Sequence, residues 1–163
     1  MTLYLIDANV LIRAHEDFYS IERIPQFWDW LLKVASNGSV KMPRQIHDEI
    51  ARFRGPLADW TRRPDVKSAL ILAEATDHQR VQDVITRGYA PNLTDVDLEK
   101  IGRDPFLIAA AMGRGGDRVV VTREVSRPNA MGANRKIPDV CRVLGVPVIN
   151  DYTLYRNLGF STR

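Results

Sequence analysis

The chain has 163 residues, 45% of them hydrophobic and 26% charged, which suits one compact soluble domain with a substantial core. A formal net charge of +3 permits a polyanionic partner without requiring one. Cys141 is the single cysteine, which excludes an internal disulfide and a Cys-based zinc site and suits a reducing cytoplasm.

The charge is unevenly spread. Residues 1–51 carry five Lys/Arg against seven Asp/Glu, whereas residues 113–163 carry nine against four. No stretch approaches the length of a membrane span, and no basic segment precedes the first apolar run. Neither a signal peptide nor a membrane helix is expected, and the expected location is the cytoplasm.

That first run, Leu3 to Ile12, reads as a buried parallel-sheet strand interrupted by Asp7 and Asn9. An ionised Asp buried without a partner is costly, so Asp7 is expected at the strand's carboxyl end, facing a polar crevice. Helical spacing follows over Ile21–Ser36, with Asn37-Gly38 as its stop. Val40–Met42 is a second strand, and the helix begun by Gln45 carries Glu49 away from its carboxyl end.

Residues 52–67 read as a polar, Pro- and Gly-punctuated connection. Helical stretches are expected over Val66–Arg87 and Asp104–Met112, the second stopped by the glycines of 113–116. Arg118–Thr122 is a third strand, with Glu124 just beyond it. A loop over Ser126–Lys136, a helix over Ile137–Leu144, a strand over Val146–Asn150 and a helix over Thr153–Leu158 complete the chain. The order predicts an α/β/α sandwich around a central, mainly parallel sheet in one domain, 1–163.

Four acids thus flank one edge of the sheet: Asp7, Glu49, Asp104 and Glu124. Carboxylates converging in a cleft repel one another unless protons or cations neutralise them. Oxygen-only donors, without Cys or suitably spaced His, select Mg²⁺ or Mn²⁺ over zinc. Such an ion typically serves phosphate chemistry.

The motifs strand-Asp7-Ala8-Asn9, helix-borne Glu49 after strand-Pro43, Asp104-Pro105-Phe106-Leu107-Ile108-Ala109 and Val121-Thr122-Arg123-Glu124 resemble the acidic motifs of PIN-domain nucleases. The resemblance is nearest to a bacterial PIN-like group related to VapC-type toxins. It implies a PIN-like domain over 1–163 and a metal-dependent endoribonuclease that hydrolyses RNA, as the toxin of a toxin–antitoxin pair. By the same resemblance Asp7, Glu49, Asp104 and Glu124 hold Mg²⁺ or Mn²⁺ directly or through water, and Asn9 and Thr122 orient them. Arg123, Arg127, Asn134, Arg135 and Lys136 would hold RNA phosphates, with an antitoxin protein and a second copy of the chain (a homodimer) as further partners. Two departures stand out: Glu124 replaces the usual Asp of Thr-x-Asp, and the segment between Glu49 and Asp104 is longer than in minimal toxins.

Plainer readings compete at each position. Asp104 could be only a helix N-cap, Glu49 a dipole-favouring acid and Glu124 a loop acid paired with Arg123 or Arg127. Asp139 reads as a helix-start acid and Asp151 similarly. His15, His47 and His78 read as surface or structural groups. Arg52, Arg54, Trp60, Arg62 and Arg63 could clamp single-stranded RNA or form a solvated basic connection. The alternative function is a catalytically silent PIN-like module that grips RNA or protein.

Overall fold

The computed structural model describes residues 1–113 and 116–163. Four parallel strands form its sheet in the order β2-β1-β3-β4: β1 (Leu3–Ile6), β2 (Val40–Lys41), β3 (Arg118–Val121) and β4 (Val148–Ile149). Leu3 to Ile6 run in register with Arg118 to Val121, so β1 and β3 end side by side. With ten α-helices flanking this sheet among the described residues, the architecture is the expected α/β/α sandwich.

The apolar run at the N-terminus is not one strand. The strand stops at Ile6 and α1 (Ala8–Arg13) starts straight after Asp7, then widens into a π-helical turn over Ala14–Phe18. Apolar side chains continue across this junction because Leu5, Ile6, Val10 and Leu11 all enter the core, so hydrophobicity alone hides the change of period.

Helix α2 (Pro25–Ser36) begins at Pro25, four residues after the expected Ile21, because proline sits comfortably in a first helical turn. It buries Phe27, Trp28, Leu31, Val34 and Ala35, a stripe with helical spacing. At about 2–3 kcal/mol for each large side chain, this face contributes heavily to the gross stabilisation of the core. Phe27 stacks on Tyr19 and meets Tyr155 and Phe160 edge-on, giving an aromatic layer that ties the first and last thirds of the chain together.

Between Glu49 and Asp104 the expected plan needs correcting. After α3 (Arg44–Ala51), the supposed connection holds two helices, α4 (Pro56–Arg62) and α5 (Pro64–Leu70), each with proline at its start. Trp60 is buried against Trp28, with ring centroids 4.9 Å apart, so it belongs to the core and offers no stacking platform for RNA. The long helix expected over Val66–Arg87 breaks after Leu70. There Ile71 bridges to Met42, and the Met42 and Leu72 N–H groups donate to Leu70 O and Met42 O at 2.8 and 2.9 Å. Asp77 then caps α6 (His78–Asp83), which runs into a second π-helical turn, Val84–Tyr89.

Helix α7 spans Asp95–Ile101, a segment for which the sequence pattern predicts no helix. Thr94 and Asp97 form its capping box: the Thr94 hydroxyl accepts from the Asp97 N–H and the Asp97 carboxylate from the Thr94 N–H. Helix α8 (Asp104–Ala111) leads towards β3; the glycine stop expected after it lies partly on Arg114 and Gly115, outside the described residues. Helix α9 (Ile137–Leu144) has the bounds expected, whereas β4 is shorter than Val146–Asn150, and α10 (Asp151–Asn157) begins two residues early behind an Asn150 cap. Among the described residues no helix is long and apolar enough to cross a membrane.

Candidate active site

The chain leaves β1 toward β2 on one side, while β3 and β4 lie on the other. The carboxyl ends of β1 and β3 therefore frame a topological switch point, where open parallel sheets leave a crevice. Asp7 and Thr122 are the residues that follow those two strands. The Asp7 N–H donates to Val121 O at 2.9 Å, which carries the strand pairing one step further and fixes where the carboxylate emerges.

Asp7 is 5% exposed, and both its oxygens are in use. Oδ1 accepts from the Ala8 N–H at 2.7 Å and Oδ2 from the Thr122 hydroxyl at 2.9 Å. Thr122 Oγ1 in turn accepts from Asn9 Nδ2 at 3.3 Å and from the Glu124 N–H at 3.2 Å. One donated and two accepted bonds exhaust a hydroxyl, so its proton can point only at Asp7. Asn9 Oδ1 accepts from the Arg123 N–H at 3.1 Å, which sets the orientation of the amide. Thus Asn9 and Thr122 hold Asp7, the β3 exit and Glu124 as one network.

Glu49 lies in the second turn of α3, and Asp104 is the first residue of α8. Asp104 is not the cap of that helix; Arg103 occupies the cap position and no side chain caps the helix. Among the described residues no hydrogen-bond donor serves the Asp104 carboxylate, so the plainest reading of Asp104 fails. Glu124 Oε2 accepts from the Ile137 N–H at 2.7 Å, which satisfies an orphan donor at the start of α9 and spends one of its two oxygens.

The electrostatics join the four acids. Burial raises Asp7 from an ordinary 3.8 to about 7, against the Thr122 hydrogen bond and with help from Glu124 and Glu49. Burial and then Asp7, Glu124 and Glu49 raise Asp104 to about 8, with Lys136 opposing. Glu49 is raised by burial against Arg103 and Arg52.

Beside them opens a cleft of about 300 Å³ whose wall includes Asp104, Glu124, Arg127, Asn134, Arg135 and Lys136. The structure brings these four phosphate-binding candidates to the acids but does not leave all of them free. Arg135 donates to Gly88 O at 2.6 Å, and Lys100 donates to Asn134 Oδ1. Arg123 is drawn elsewhere, its Nε 3.5 Å from Asp151 Oδ2. Lys100 and Tyr89 also line the cleft and were missed in the sequence. The Thr94-x-x-Asp97 capping signal would have located the helix bearing Lys100, whereas nothing local distinguishes Tyr89 from any core aromatic.

Two further buried acids serve the backbone. Asp139, 3% exposed, accepts from the Ser126 hydroxyl and from the Arg127 N–H at 2.8 Å. Burial pushes its carboxyl up, but these bonds and Arg142 outweigh that and hold it below the usual range. Asp151 accepts from the Tyr152 N–H at 3.0 Å at the start of α10. His47 is fully buried, with Nε2 2.7 Å from Thr61 O, and fastens α3 to α4.

No three His, Cys, Asp or Glu side chains among the described residues form a ready-made metal cage. The fold and site thus define a parallel α/β protein with an acidic crevice at its switch point and a basic rim beside it. The chain belongs to the family described as Domain of unknown function (DUF4411), whose model matches residues 4–162. No curated protein and no solved structure matches it.

Proposed function

We propose that the protein is a divalent-metal-dependent endoribonuclease of the PIN type. The observation that carries this reading is the convergence of Asp7, Glu49, Asp104 and Glu124, electrostatically coupled, on the switch-point crevice with a basic rim alongside. The donor chemistry fits Mg²⁺ or Mn²⁺: every candidate ligand is a carboxylate, and Asp104 has its acceptor capacity unspent. A ready-made cage is not required, because Mg²⁺ keeps several waters and commonly takes only one or two direct carboxylates. Asp7, Asp104 and the unspent oxygen of Glu124 would hold the ion, with Glu49 joining through water.

Such an ion, when bound, polarises a phosphoryl oxygen and lowers the pKa of water. The chain's own contribution is positional. Thr122 and Asn9 hold the Asp7 carboxylate in one orientation, and Lys136 and Arg127 draw the polyanion to the acids. Hydrolysis adds water across one P–O bond, leaving a phosphate monoester and a free hydroxyl. RNA as the polymer, a toxin role and an antitoxin partner rest on the resemblance to PIN-domain nucleases.

The test is cleavage of a mixed RNA pool with Mg²⁺, Mn²⁺ or chelator, comparing wild type with Asp7→Asn. Metal-dependent cutting that falls by more than about 100-fold in the variant supports the reading. Absence of cutting with every metal, with RNA binding retained, replaces it with the silent RNA-gripping module. The commitment of one Glu124 oxygen to α9 is what favours that second reading.

A further inference from the structure

Tyr89 is 5% exposed, yet its hydroxyl has no hydrogen-bond partner among the described residues. A buried hydroxyl left without a partner costs roughly 1–3 kcal/mol, so natural proteins rarely keep one idle. The residue that carries it belongs to the wall of the cleft that Asp104, Glu124 and Lys136 also line.

Its placement is over-determined. Tyr89 ends the π-helical turn Val84–Tyr89, a local widening that shifts side chains out of ordinary helical register. The Ala90 N–H closes the turn on Ile85 O at 3.0 Å, and Arg135 donates to Gly88 O. Gly88 lies so close to α9 that a Cβ there would come within 2.6 Å of Val140 Cγ1. The ring is therefore held while its polar end is unsatisfied.

We propose that the Tyr89 hydroxyl is a substrate-contacting residue, donating a hydrogen bond to a phosphoryl oxygen of RNA bound in the cleft. This rests on, and deepens, the nuclease reading. Burial first, and then the charges of Asp104 and Glu124, hold the phenol in its protonated form, so it acts as a donor. The cations of the rim attract an anion that brings acceptor oxygens, and phosphate supplies several within one group. A neutral donor suits this position, because it adds a contact to phosphate without competing for the carboxylates that a cation needs.

Tyr155 provides an internal control. Its hydroxyl is likewise buried and without a partner among the described residues, but its ring belongs to the aromatic layer with Phe27 and Trp30. Tyr89→Phe and Tyr155→Phe thus delete the same atom type in two settings.

The experiment measures steady-state RNA cleavage by wild type, Tyr89→Phe and Tyr155→Phe. Alongside, a fluorescent single-stranded RNA is titrated into Asp7→Asn protein with and without Tyr89→Phe, and melting temperatures are recorded. The expected result is a loss of about 10- to 100-fold in kcat/KM for Tyr89→Phe and a weaker Kd in the Asp7→Asn background, with a melting temperature that is unchanged or raised. Tyr155→Phe stays within twofold of wild type in kcat/KM. Values within twofold for Tyr89→Phe in both readouts overturn the contact while the nuclease reading stands. A lowered melting temperature for Tyr89→Phe also overturns it, since the hydroxyl would then serve the fold. If wild type cuts nothing, the nuclease reading fails alone and the Kd comparison still decides the contact. No RNA binding by any of the proteins overturns both.

Discussion

Two acids of this protein, Asp139 and Asp104, behave in opposite ways. Asp139 is buried with its oxygens occupied by a hydroxyl and a backbone N–H, and its carboxyl lies below the usual range. Asp104 faces the cleft with no donor among the described residues, near three other acids, and is raised to about 8. Burial alone does not separate a structural acid from a functional one. What separates Asp104 from Asp139 is acceptor capacity left unspent among the described residues where other charges converge.

The sharpest way to break this contrast is to neutralise one acid of each kind. Asp104→Asn is expected to abolish more than about 100-fold of metal-dependent RNA cleavage while the melting temperature holds or rises, because a repulsive charge is lost and no hydrogen bond goes with it. Asp139→Ala is expected to do the reverse, lowering stability by about 2–3 kcal/mol in denaturant titration through the loss of two bonds. If Asp104→Asn unfolds the protein, the contrast is wrong.

Thr122→Val probes the link between strand exits. It removes the hydroxyl that serves Asp7, Asn9 and Glu124 together, and an activity loss of about 10- to 100-fold is expected, read as kcat/KM. A variant with full activity would mean that Asp7 needs no external orientation.

The last test is one of pH. Asp7 and Asp104 have native values near 7 and 8 against an ordinary 3.8. Between those limits the metal-free native state binds more protons than the unfolded chain. Stability is present below about pH 4 for these groups and falls as the pH rises toward 8. Urea midpoints measured in chelator should therefore decline over that range, and Mn²⁺ or Mg²⁺ should flatten the decline by displacing the protons. Midpoints that rise over the same range without metal would reverse the assignment of strain to these acids.

Much of this contrast was legible in the chain itself. An acid directly after an apolar strand, and another before Pro105 at the start of an apolar helix, can be placed by strand direction alone, and the parallel sheet follows from the alternation of elements. The cap that would have explained Asp104 away required knowing that Arg103 takes that position. Helices α4 and α5 are hidden in the sequence because a proline signals a break as readily as a start, and Pro56 and Pro64 are helix starters. The diversion of Arg123 to Asp151 and of Arg135 to Gly88 joins residues far apart in sequence, which no local pattern encodes. Trp60 illustrates the same limit: an aromatic among arginines looks like an RNA platform until Trp28 is found against it.

The close approach at Gly88 has a mechanical consequence. The turn bearing Tyr89 rests on Val140 and Leu144 of α9, and the first N–H of that same helix holds Glu124. The gap between the two walls is therefore gauged from behind by the absence of a single methyl group. Spreading that buried seam would displace Tyr89 relative to Glu124 without altering any atom that faces the cleft, so the width of the cleft is set by packing in the core.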